Sequence, residues 1–126
     1  MLVKNLLACA SAALALALAA APAAETPKAY MERLYTSYRH ANFNPFDHPE
    51  LYFAPRLLAA IKEDARLAKG EVGYVDGDPI CQCQDAEGLK ATVTNVEVQG
   101  RDHARVRVAI ALAGYRRGAA LALVRT

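Results

Sequence analysis

"RVRVAIAL", Arg105 to Leu112, decides how this chain folds. Val106, Val108, Ile110 and Leu112 alternate with arginine and alanine. Successive side chains of a strand point to opposite faces, so this stretch reads as a strand with one apolar side. Arg105 and Arg107 take the other side. Upstream, Ala91 to Gln99 is rich in Val and Thr and reads as a neighbouring strand, with "GRDH" (100–103) as the turn between. Downstream, "GYRRG" (114–118) reads as a second turn and Ala119 to Arg125 as a third strand. Short polar turns between such runs mean antiparallel hairpins.

The upstream half has a different period. Thr26-Pro27 suits a helix start: threonine caps open amides, and proline fits the first turn. Tyr30, Met31, Leu34, Tyr35 and Tyr38 then recur on one helical face. "HANFNP" (40–45) ends that helix. In "DHPELYFAP" (47–55), Asp47 or His48 starts a short helical turn with Pro49 just inside it. Pro55 opens a second long helix, Arg56 to Lys69, with Leu58, Ile61, Ala65 and Ala68 as its inward stripe. Gly70 stops it. Helices first and a meander second predict an α+β domain, with two to three N-terminal helices packed on one face of an antiparallel sheet.

The chain has 126 residues, room for one domain. Its beginning reads as a signal peptide covering residues 1–23. Lys4 supplies the positive start, Leu6 to Ala21 the apolar run, and Ala21-Pro22-Ala23 a small-residue cleavage site. A membrane anchor fits less well, because the run falls short of roughly 18 residues and is rich in alanine. "LLAC" (6–9) is a poor lipid-attachment box, since most of the oily run follows Cys9. The expectation is a periplasmic or secreted domain, 24–126, with no stable membrane span after cleavage. Losing Lys4 lowers the net charge by one from the +2 of the whole chain. A near-neutral surface without aromatics among its arginines argues against nucleic acid as a partner.

"DGDPICQCQD" (76–85) carries the unusual chemistry. Cys9 leaves with the leader, so Cys81 and Cys83 remain as an even pair in an oxidising compartment. In an extended segment their Cα atoms would stand roughly 6.5–7 Å apart, at the limit for a disulfide. Bonding them needs a local kink. Three roles stay open: structural thiols or a disulfide, a redox pair, or metal handling. His40, His48 and His103 lack zinc-motif spacing, so no metal and no cofactor is expected. Asp76, Asp78 and Asp85 sit beside Gly and Pro, where acids mostly shape turns. Arg116 and Arg117, read as turn residues, form with Arg105 and Arg107 a solvated basic surface.

Taken together, several features resemble the DUF3828 group of bacterial exported proteins. They are the leader, the tyrosine-spaced helix, "PELYFAPRLLAAI" (49–61) and "DGDPICQCQD". The most specific part is Asp78-Pro79 with Cys81, Cys83, Gln84 and Asp85. That group is similar to the NTF2-like cone fold, which implies a curved sheet and an envelope location. It has no assigned reaction. Related chains add a glycine-tryptophan turn and another strand; here there is no tryptophan, which leaves an expected open edge near 119–125 and scope for edge-strand self-association.

A curved sheet under helices implies an apolar pocket. Its expected lining is Tyr30, Leu34 and Tyr38 from the first helix with Val106, Val108 and Ile110 from the sheet. The function expected is a non-catalytic binding or accessory protein, with a small apolar ligand or an envelope protein as partner. An isomerase- or dehydratase-type enzyme in the same fold is the rival, and needs His40 or Asp85 inside the pocket. A thiol-redox or metal-handling protein using Cys81 and Cys83 is the third reading.

Overall fold

The computed structural model describes residues 24–125. The expected signal peptide, residues 1–23, lies outside them. In chain order come α1 (Pro27–Ser37), a 3-10 turn (Pro49–Leu51), α2 (Pro55–Ala68), and strands β1 (Lys90–Gln99), β2 (His103–Leu112) and β3 (Tyr115–Val124). The strands form one antiparallel sheet in the order β1-β2-β3. The α+β class therefore holds, with helices packed against a three-stranded meander.

Alternation along β2 sets the inner face. Ala104, Val106, Val108 and Ile110 are buried, and the residues between them are exposed. β1 reaches the same face by a bulge. Val93 pairs with Val108 and Asn95 with Arg107, so Thr94 is the extra residue. That insertion shifts the phase, and Ala91, Val93 and Val96 all line up with the buried side of β2. The Thr94 hydroxyl donates to the Arg107 carbonyl at 3.3 Å.

α1 lies on this face. Thr26 caps it, its Oγ1 accepting the Ala29 N–H at 3.1 Å, a contact worth about 1 kcal/mol. Met31, Leu34 and Tyr35 pack against Val106, Val108, Ile110 and Ala119, together with Phe53 and Ile80.

α2 departs from expectation. None of its residues is buried. Leu58 joins the core margin. Ile61 and Ala68 are half-buried, and Ala65, expected inward, is exposed. The second hairpin is also tighter than expected. Leu112 pairs with Tyr115, so Ala113-Gly114 alone makes the turn, with Gly114 at φ +88°. Arg116 and Arg117 are thus strand residues, not turn residues. Arg117 pairs with buried Ile110 and shares its face, while Arg116 lies with Ala111 on the other. His103, expected in a turn, begins β2. Among the described residues no helix is long and apolar enough to cross a membrane.

Candidate functional site

The motif 76–85 folds into a knot beside the sheet. Gly77 has φ +114°, and a Cβ there would stand 2.8 Å from the Cys83 carbonyl oxygen. Only glycine permits that approach. The Asp78 N–H donates to the same Cys83 carbonyl at 2.9 Å, closing a one-bridge antiparallel contact. Inside this loop Cys81 and Cys83 form a disulfide with Cα atoms 5.2 Å apart. The kink that an extended segment lacks is supplied by Gln82, at φ +53°. A left-handed glutamine costs about 1–2 kcal/mol, which the bridge and the disulfide offset. Both cysteines are buried, at 1% and 8% exposure.

Asp78 ties the knot to α1. Its Oδ1 accepts the Ile80 N–H at 2.8 Å, and its Oδ2 accepts the Tyr38 hydroxyl. Tyr35 donates its hydroxyl to the Ile80 carbonyl at 2.8 Å. Burial pushes both phenols well above the ordinary tyrosine range. The Asp78 charge raises Tyr35 further, and at Tyr38 the hydrogen bond to Asp78 adds to its charge. Pro79 sits half-buried between Asp78 and Ile80. On the other flank Arg117 Nη1 donates to the Gln82 carbonyl at 3.4 Å. Gln84 donates to Asp76 at 2.7 Å, and Asp85 accepts the Glu87 N–H at 2.9 Å.

A second tie holds the preceding loop to α2. The Asp64 carboxylate accepts the N–H groups of Tyr74 and Val75, each at 2.9 Å. Gly73 lets this happen: a Cβ there would lie 2.3 Å from Asp64 Oδ2. Between the two ties opens a cleft of about 1210 Å³. Tyr38, Phe43, Ile61 and Leu89 give it apolar walls, and Asp64, Asp76, Asp78 and Asp85 line it with carboxylates. Cys81 and Cys83 also reach it.

The expected pocket residues are distributed differently. Leu34, Val106, Val108 and Ile110 are at most 4% exposed and fill the core rather than line this cleft. They pack because α1 sits directly on the sheet, leaving no space between the layers. Tyr30 lies half-buried at the core margin, where the Arg33 guanidinium stands 5.3 Å from its ring centre. Tyr38 is the one of the six that lines the cleft. The residues of the expected motif, Asp78, Pro79, Cys81, Cys83, Gln84 and Asp85, are brought together as the knot. His40 and Asp85, the acid–base candidates, are both exposed, and both belong to the lining of the cleft. Among the described residues no group of three or more His, Cys, Asp or Glu is placed to hold a metal.

Asp64 and the two hydroxyl ties were missed by sequence reasoning. A carboxylate on the apolar stripe of α2, next to Ile61 and Ala65, was the available signal for Asp64. The tyrosine ties join residues 40 and 45 positions apart, and no local pattern announces them. In comparisons with protein-family models, curated proteins and solved structures, nothing matches this chain.

Proposed function

We propose that this chain is a non-catalytic binding or accessory domain of the bacterial envelope, exported by its leader and of the DUF3828 kind. One observation carries the reading: each of the four aspartates that line the cleft already accepts a hydrogen bond from the protein itself. Asp64 is spent on two backbone amides, Asp78 on Ile80 and Tyr38, Asp76 on Gln84, and Asp85 on Glu87. A general base needs a carboxylate or imidazole that can take a substrate proton. Acids locked onto backbone N–H groups instead fix a shape. The shape is a concave, apolar-walled cleft with an acidic lining, which suits a small apolar ligand, or an apolar segment of an envelope protein, bearing a positive group. The disulfide supports the envelope assignment, since such bonds persist outside the reducing cytosol.

The test is ligand capture and its loss. Native mass spectrometry of the protein purified from its own envelope fraction is expected to show a bound small molecule, or thermal shifts with cationic amphiphiles a saturable rise. Ala65 lines the cleft and is exposed, so Ala65→Phe fills space without entering the core. It is expected to abolish that binding and leave the unfolding midpoint in place. A saturable ligand whose affinity ignores Ala65→Phe would sink the assignment of this cleft. Recovery of the intact precursor from the cytosol would sink the envelope assignment.

A further inference from the structure

The two edges of the sheet are built to different rules. The β1 edge carries Lys90 and Glu97 and a bulge at Thr94. Charges and bulges are the devices that keep an edge from pairing with other chains. The β3 edge has neither over its second half: Gly118 to Val124 reads Gly-Ala-Ala-Leu-Ala-Leu-Val, in unbroken register with β2. Among the described residues, no backbone group of β3 bonds outside the β2 ladder. On the inner face Leu121 and Leu123 stay half-exposed at the rim of the core.

The geometry points to a second copy of this chain as the occupant of that edge, with β3 pairing antiparallel to β3 about a two-fold axis at Ala120. An isologous contact must be self-complementary, and this strand is. In that register Ala119 meets the partner's Leu121, and Arg117 meets the partner's Leu123. Gly118 meets the partner's Ala122 on the outer face. Arg116 and Arg117 fall opposite the partner's Val124 and the partner's Leu123, so no like charges stand directly opposite, and the partner's Arg125, just beyond its strand, faces Tyr115. The alternation is conserved across the axis, and the result is a continuous six-stranded sheet with one apolar face. A single paired edge falls in the small-interface class, below about 1,200 Å², so the expected dimer is weak, with a Kd in the micromolar range.

Ala120 gives the test. It is exposed on the outer face and pairs within its own chain with Arg107. Ala120→Glu therefore gains a favourable cross-strand partner inside the protomer, while at the two-fold it sets two carboxylates directly opposite. Ala120→Lys sets two ammonium groups there. Sedimentation of the protein from the full chain, from about 1 to 500 µM, is expected to show reversible dimers. Each variant alone is expected to weaken the dimer by about fivefold or more, and an equimolar mixture of the two to restore it. Amide exchange within β3 of the unmodified protein is expected to slow as its concentration rises, a readout that needs no variant. A protein that stays monomeric at about 500 µM overturns the proposal. So does a dimer indifferent to Ala120→Glu, a mixture no tighter than its components, or a β3 that pairs only with another polypeptide. None of these outcomes bears on the cleft, whose lining contains no residue of β3.

Discussion

α1 and α2 each carry an apolar stripe, and the two stripes meet opposite fates. α1 buries Met31, Leu34 and Tyr35 against the sheet. α2 buries nothing completely and touches the core margin through Leu58. Its attachment comes from the polar tie of Asp64 to Tyr74 and Val75, and from the 3-10 turn ahead of it. An amphipathic stripe predicts that a helix has an inner side. It does not say whether that side will meet a sheet or a cleft. Here one helix is fixed by dispersion and apolar burial, and the other by hydrogen bonds around open space.

The largest expected effect tests this contrast directly. Met31 is 1% exposed, and Met31→Ala is expected to cost about 2–5 kcal/mol in urea unfolding. Ile61→Ala, on the half-buried face of α2, is expected to cost less than about 1.5 kcal/mol, because that side chain gives up little buried area. Equal losses would mean that α2 is packed as tightly as α1, and the contrast would fall.

Next in size are the hydroxyl ties between α1 and the knot. Tyr38→Phe leaves Asp78 Oδ2 without its donor, at an expected cost of about 1–3 kcal/mol. The same tie has a pH signature. Burial and Asp78 keep Tyr35 and Tyr38 protonated above the ordinary value of 10.0, at which they ionise in the unfolded chain. The unfolded state thus releases protons first. Stability from these groups is intact below pH 10 and is lost as pH rises through the folded values. The slope is up to about 1.4 kcal/mol per pH unit for each phenol, reduced by whatever water still screens it. Tyr38→Phe is expected to flatten the alkaline limb, followed by circular dichroism after rapid pH jumps. Unchanged steepness would show that Tyr38 ionises as freely in the folded protein as in the unfolded chain.

A smaller effect separates the two ties. Asp64→Ala is expected to speed exchange of the Tyr74 and Val75 amides by about tenfold while leaving amides of the β2 ladder unaffected, since the loop it releases is a local unit. If β2 amides also quicken, α2 and its loop belong to the global unit, and polar attachment is no weaker than apolar.

What was legible in the chain follows the same division. The "RVRVAIAL" alternation shows which side chains meet the core, because period-2 patterning acts through backbone geometry alone. The phase change at Thr94 went unread: Val93 and Val96 share a face only because an extra residue stands between them, and the pairing with β2 is what shows it. Arg116 and Arg117 misled, because charge suggested a turn while Ala113-Gly114 already sufficed to close the hairpin. The pocket was misplaced for a deeper reason. Whether Val106, Val108 and Ile110 line a cavity or a core depends on how closely α1 approaches the sheet, a distance set by long-range packing. The knot was half legible: its residues stood out, and the need for a kink was visible, but Gln82 carries no mark that it would take the left-handed turn.

The smallest effect concerns how α2 ends. Gly70 was the expected stop, and it is left-handed at φ +87°. But Lys69 before it is left-handed too, at φ +50°, and occupies the cap position of the helix. A Cβ in that region meets the following carbonyl, a cost that glycine escapes. Against this, glycine loses more chain entropy on folding. Lys69→Gly is therefore expected to raise stability by a few tenths to about 1 kcal/mol, read as a small rise in the urea midpoint. Because α2 is held at its edge rather than in the core, the gain is also expected to appear locally, as slower amide exchange in its last turn. A loss of stability instead would mean that the lysine side chain fixes the helix end more firmly than its backbone strains it. α2 would then be anchored at its C-terminal end by a charge as well as by Asp64.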